Sequence, residues 1–264
     1  MTSQALVPPN TTDERPERRV LAREVAVVLA LSLGASAVAA AISFLGALTA
    51  RRHLSQQTTV IVGSYAPGRP WLDLAWQVFS LATALVPVAL VGHLLARGGE
   101  SLRTLGVDGR DKTWDLVRGA AVAAGIGGTG LVLYVAAHTV GVNLTVDPVR
   151  LPDTWWRIPV LVASAAQNAV LEEVIVLGYL THRLGQLGWS PGRSAVTSAL
   201  LRGSYHLYQG VGGFLGNVVM GLIFCHLYRR WGRVTPLIVA HTLIDVVAFV
   251  GSVYLIGRVS WLPG

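Results

Sequence analysis

Charge is what this sequence has least of. Charged residues fill 13% of its 264 positions, about half the share usual in a soluble domain. Hydrophobic residues fill 52%, and the mean hydropathy is +0.54. That deficit argues against a soluble protein and points to a polytopic membrane protein. Lysine is all but missing, Lys112 being the only one, so the net charge of +7 is carried by arginine. The arginines fall in a polar tail and in short loops between apolar runs. No basic groove or aromatic-interleaved patch accompanies them, so nucleic acid is not expected as a partner and the arginines read as a topology signal. Cysteine is nearly absent as well. Cys225 stands alone between Phe224 and His226 in an apolar segment. A lone cysteine excludes an intrachain disulfide and a multi-cysteine metal site, and a buried, inert thiol is favoured over a nucleophile. Internal repeats and low-complexity tracts are lacking too.

What is there is a succession of apolar runs. Residues 1–23 are polar, with Pro8, Pro9 and charges from Asp13 to Arg23, and are expected to form a disordered cytoplasmic tail. Apolar spans are predicted at 25–50, 71–96, 116–142, 156–184, 194–208, 211–228 and 234–256, most of them near the ~20 residues a crossing needs. The run 194–208 is short and polar-laced and is expected to pack inside the bundle. "ASAVAA" (35–40) looks like a signal-peptidase site, but the apolar run continues past it, which favours a retained helix. The fold class is therefore all-α, a polytopic transmembrane helix bundle of about seven to eight spans. Arg15, Arg18, Arg19 and Arg23 in the tail, with Arg97, Arg103, Arg110, Arg229, Arg230 and Arg233 in later loops, favour a cytoplasmic N-terminus in the plasma membrane. "SLRTLGVDGRDKTW" (101–114) reads as an interfacial element. In "GQLGWSPGRS" (185–194), Gly185 and Gly188 end a helix, and Ser190 caps the next with Pro191 at its first position.

The chemistry-bearing residues all follow residue 167, and residues 24–155 read as scaffold transmembrane helices. "NAVLEEVIVLGYL" (168–180) sets Glu172 and Glu173 in mid-span. One carboxylate at the bilayer centre costs roughly 2.5–3.5 kcal/mol, and two repel by about 3 kcal/mol at ~5 Å and an effective dielectric near 20. A cation or donors must hold them if both are ionised. Neighbours on a helix point about 100° apart, so one can orient while the other does chemistry. "LLRGSYHLYQG" (200–210) places Arg202 and His206 on one helix face and adds Tyr205, Tyr208 and Gln209. "VAHTLIDVVAF" (239–249) places His241 and Asp245 on one face. Three carboxylates and two histidines suit water activation, with a carboxylate as base and histidines as donors or acid. Taken singly, His206 also reads as a bundle histidine, and His241 with Asp245 as an interhelical hydrogen-bonded pair. His53, His93, His138, His182, His226 and Asp73 lie near span ends and read as interfacial.

The order Glu-Glu, then His, then His-x-x-x-Asp resembles the CPBP family (CAAX protease and bacteriocin-processing, also called Abi) over roughly residues 156–256. "SLRTLGV" is a weaker upstream echo. The family's Glu-Glu-x-x-x-Arg reads here Glu172, Glu173 and then Leu177 in place of the arginine. Its Phe-x-x-x-His reads Arg202 and His206, and its His-x-x-x-Asn/Asp reads His241 and Asp245. The resemblance implies catalytic core helices over 156–258 and an intramembrane endopeptidase. In it Glu172 activates water with Glu173 beside it, His206 and His241 polarise water or carbonyl, and Asp245 completes the site. It favours a metal-free reaction. If a divalent ion such as zinc is bound, Glu172, His206 and His241 are the expected ligands. Because Leu177 cannot supply the family cation, Arg202 is expected to reach back to Glu172 or Glu173. The expected partners are the lipid bilayer and a peptide or membrane-protein substrate. The alternatives are an inactive scaffold or immunity factor and a small transporter or proton relay; the lack of an inverted repeat weighs against the last.

Overall fold

The computed structural model describes residues 14–259 and 263. The expected disordered tail lies outside these residues for 1–13. Beyond that it is corrected, because helix α1 already runs from Glu14 to Ala30. Helix α2 (Leu33–Thr49) continues from α1 with a bend of 49°. The bend has a local cause. Ser32 Oγ donates to Val28 O at 2.6 Å, a back-bond that distorts the helical ladder. Gly34 then sits where a Cβ would lie 2.6 Å from Leu29 O.

One small sheet accompanies the helices. Strand β1 (Thr58–Gly63) pairs in parallel with β2 (Thr145–Arg150), with Thr58 opposite Thr145 and Gly63 opposite Arg150. "TTVIVG" and "TVDPVR" are rich in β-branched residues, which favour strands. Both lie outside the predicted spans, where hydropathy is silent. Between the strands run α3 (Pro70–Ala84), α4 (Val86–Arg97) and α5 (Lys112–Thr139). After β2, α6 (Arg157–Glu172) passes through a π-helical turn (Glu173–Tyr179) into α7 (Leu180–Gln186). Helices α8 (Pro191–Tyr205), α9 (Val211–Trp231) and α10 (Thr235–Leu255) follow. Ser190 Oγ accepts from Arg193 N at 3.3 Å, capping α8.

Among the described residues, five stretches are long and apolar enough to cross a membrane: Pro70–Arg97, Lys112–Thr139, Arg157–Gln186, Val211–Trp231 and Thr235–Leu255. The bent α1–α2 pair makes a sixth. The protein is a multi-pass helical bundle. The run 194–208 is not among these stretches. Helix α8 has 15 residues, about 22 Å at ~1.5 Å per residue, against a hydrocarbon core of ~30 Å.

Arg157–Gln186 is the central span. In its most apolar window 56% of residues are buried, against 6–22% in the other four. Val174, Ile175, Val176 and Tyr179 pack there with Leu95, Leu105 and Val234. Lipid is as apolar as these side chains, so their packing contributes through dispersion and fit, and polar contacts set the geometry. Helix α10 packs on α5 and α6, and α8 packs on α9 and α2. The α8–α9 approach needs Gly203, where a Cβ would meet Val218 Cγ2 at 2.5 Å.

Asp73 lies in the first turn of α3, near the end of its span. Asp73 is fully buried and accepts from Tyr65 N at 2.8 Å. Gln77 Nε2 donates to Gly63 O at 2.9 Å. Together they fasten the end of β1 to α3.

Candidate active site

Glu172 ends α6 and Glu173 opens the π-helical turn. A widened turn leaves carbonyls without their usual helical donors, and side chains supply them here. Ser198 Oγ donates to Val176 O at 2.7 Å, and Thr181 Oγ donates to Leu177 O. Such turns are frequent at functional sites. Both carboxylates are buried, and both meet one cation. Arg202 Nη2 donates to Glu173 Oε1 and Oε2, each at 2.7 Å, and Arg202 Nη1 reaches Glu172 Oε2 at 3.3 Å. The guanidinium lies 5.4 Å over the Phe224 ring. Leu177 packs in the same apolar cluster as Phe224 and Met220. The cation missing at position 177 thus arrives from α8.

The two carboxylates are not equivalent. Glu173 is enclosed: besides Arg202 it contacts His241 Nδ1 at 2.7 Å. Glu172 Oε2 accepts from Tyr205 OH at 2.7 Å, while Glu172 Oε1 faces His206 Nε2 at 3.7 Å. That nitrogen is buried and has no hydrogen-bond partner among the described residues. The other ring nitrogen of His206 lies 3.5 Å from Gln209 Nε2. On the far side, His241 Nε2 is 3.5 Å from Asp245 Oδ2, which accepts from Asn168 Nδ2 at 3.1 Å. The structure therefore brings Glu172, Glu173, Arg202, His206, His241 and Asp245 into one network.

They do not all face the same space. A cleft of about 360 Å³ is lined by Glu172, His206, Asp245, Asn168, Tyr208 and Gln209. Glu173 and His241 lie behind it. Asn168 is the site residue that the motif pattern passes over. Its signal was its place four residues before Glu172, on the same helix face. The other wall of the cleft comes from β1 and α3, including Gly63 and Gln77.

Residues 154–247 match the family model described as Rce1-like, type II CAAX prenyl endopeptidase. This segment is a CAAX-protease-family domain. It includes Glu172, Glu173, Arg202, His206, His241, Asp245 and Asn168, and its limits nearly coincide with the stretch over which the motifs were read. No curated protein and no solved structure gives a match. That family is one of CAAX-type endopeptidases, and the five to six apolar stretches among the described residues support a multi-pass membrane protein.

The domain's metal-ligating atoms can be compared with the expected set. The three residues whose ligand atoms lie within 4.8 Å of one another are Glu172, Glu173 and His241. His206, named in the expected set with Glu172 and His241, is not among them. Nor does this trio suit a divalent cation as arranged. Arg202 already donates to both oxygens of Glu173 and to Glu172 Oε2, so an ion would have to displace a guanidinium of its own charge sign.

Proposed function

We propose that the CAAX-protease domain is an intramembrane endopeptidase that hydrolyses a peptide bond in a membrane-associated protein or peptide without a metal. The observation that carries this reading is the pairing of Glu172 Oε1 with the unpartnered His206 Nε2 at 3.7 Å on the cleft wall. A water bound beside this contact, in reach of both atoms, loses a proton to Glu172 as its oxygen attacks the substrate carbonyl carbon. The carbonyl oxygen takes up the negative charge, and His206 donates to it. The proton then passes from Glu172 to the departing amine as the C–N bond breaks.

The other residues act through these two. Tyr205 and Arg202 fix Glu172 Oε2, which turns Oε1 to the cleft. Glu173 and His241 anchor Arg202 and Asp245 from behind. Asn168, bonded to Asp245, brings a neutral amide donor to a wall that otherwise presents two carboxylates. We place the protein in the plasma membrane, and the arginine distribution supports a cytoplasmic N-terminus. In that orientation β1, β2 and the cleft mouth lie on the opposite side.

The test is cleavage of a membrane proteome by the purified full chain in lipid nanodiscs. Glu172→Gln and His206→Ala are each expected to lower cleavage by roughly 10²–10⁴-fold with the fold retained. A chelator is expected to leave the wild type unchanged. Identical cleavage profiles in wild type and both variants would overturn the enzyme in favour of a scaffold.

A further inference from the structure

Strand β1 has one partner and two edges. On the paired edge, Thr145 N donates to Gln57 O. Main-chain groups alternate along a strand, so the N–H and C=O of Thr58 and Val60 point to the opposite edge. Among the described residues, that edge pairs with no strand, and the main-chain groups of Thr58 and Val60 bond to no turn or loop. An edge of this kind is a template for another chain.

Cavities lie against both ends of β1, on either side of Val60. Thr58 and Thr59 line a space of about 490 Å³ whose opposite wall is α2, where Ala39, Ala40 and Ser43 present only small side chains. Ile61, Val62 and Gly63 line the cleft that holds Glu172 and His206. Ser36, Tyr205 and Tyr208 line both spaces. The two therefore adjoin as one trough beside β1 that ends at the candidate catalytic carboxylate.

We propose that this trough binds an extended segment of the substrate polypeptide as a third strand on the open edge of β1. The inference rests on the hydrolytic reading of the cleft and adds the conformation that the substrate must adopt. A peptide carbonyl inside an α-helix is bonded to an amide four residues on and screened by side chains, so water cannot attack it. Laid along β1, alternate amides and carbonyls of the segment satisfy Thr58 and Val60, and the intervening carbonyls turn away from the strand. The six residues of β1 span about 20 Å at ~3.3 Å per residue, enough to seat four to six residues of substrate. The small side chains of α2 leave room for substrate side chains of varied size, so recognition reads main chain more than sequence.

The test uses the full chain in nanodiscs, inactivated by Glu172→Gln, and a pool of random-sequence dodecapeptides as the probe. Retained peptides are measured by mass spectrometry. Retention is expected to fall about tenfold when Val60→Pro is added, because the substitution removes an outward N–H and spares the β1–β2 ladder. A second pool, N-methylated at every residue so that neither edge of the peptide keeps an amide donor, is expected to be retained about tenfold less by Glu172→Gln itself, which needs no folded proline variant. Equal retention of methylated and unmethylated peptides overturns the proposal. So does retention by a Val60→Pro protein of unchanged melting temperature that equals that of its parent, and so does a failure to retain any peptide. The hydrolytic reading fails separately: peptide binding that is sensitive to Val60→Pro, with no cleavage by the wild type, sinks the enzyme and leaves the strand site standing.

Discussion

Arg202 and Glu173 face each other across the bundle with one guanidinium nitrogen 2.7 Å from both carboxylate oxygens. The pair joins α8 to the π-helical turn, and both side chains are buried. Breaking a buried ion pair by removing one partner costs about 3–5 kcal/mol, so Arg202→Leu is expected to lose activity and melt well below the wild type. Leu177 lies in the cluster that contains Phe224, beneath the guanidinium. The double variant Leu177→Arg/Arg202→Leu restores a cation to the same region and is expected to recover part of the melting temperature. Thermal unfolding in detergent would show this, and a double variant no more stable than the single one would refute the exchange of positions.

Glu172 and Glu173 should separate into an activity phenotype and a stability phenotype. Glu172→Gln removes the base and keeps an acceptor for Tyr205, so turnover collapses while melting changes little. Glu173→Gln breaks the paired contact with Arg202 and His241, so melting falls first. Measuring both quantities on both variants decides the assignment; equal effects of the two substitutions would contradict it.

Asn168 and Asp245 form an amide–carboxylate pair 3.1 Å apart. Replacing Asn168 by Asp puts two carboxylates at that distance and is expected to cost turnover about tenfold or more. The exchanged pair Asn168→Asp/Asp245→Asn restores one amide and one acid and should recover most of the loss. Steady-state rates of the three proteins are the measurement, and an exchanged pair as slow as the single variant would reject the pairing.

Outside the membrane, Asp108 ties the loop before α5 to the α9–α10 connection. It accepts from Arg110 Nε at 2.7 Å and from Arg233 Nη1 at 2.9 Å. Arg110 chiefly, and then Arg233, hold its carboxyl well below the usual carboxylate range. A carboxyl lowered by folding contributes stability above its unfolded value of about 3.9 and loses it as the pH falls through the lower folded value. The melting difference between wild type and Asp108→Asn is therefore expected to be constant from neutral pH down to about 5 and to close below that. Salt should shrink it, because Arg110 is 72% exposed. A difference that persists in acid would assign the stabilisation to another group.

How much of this was legible in the sequence depends on what each residue had to say locally. Glu172 and Glu173 announced themselves because ionisable groups in a mid-span run are costly, and Arg202 followed from asking what balanced them. The helices followed from hydropathy. The sheet did not, because its two short strands pair across about 80 residues of intervening helix and neither alone outweighs its surroundings. The placing of α8 inside the bundle was legible from its short, polar-laced run, and Ser198 and Arg202 are indeed buried against the central helix. The π-helical turn left no trace in residue periodicity, because after Glu173 the run Val174 to Leu177 is apolar on every face and looks the same in either ladder.

That the counter-charge resides on α8 also has a consequence for how the chain is made. Arg202 leaves the ribosome 29 residues after Glu173, so the two acids reach the translocon before any positive charge able to match them exists. The span Arg157–Gln186 is apolar enough to enter lipid by itself, but each acid ionised at mid-span then costs roughly 2.5–3.5 kcal/mol. Until α8 packs against it, that cost favours the protonated acids, so the two carboxylates gain their charge only as the bundle closes.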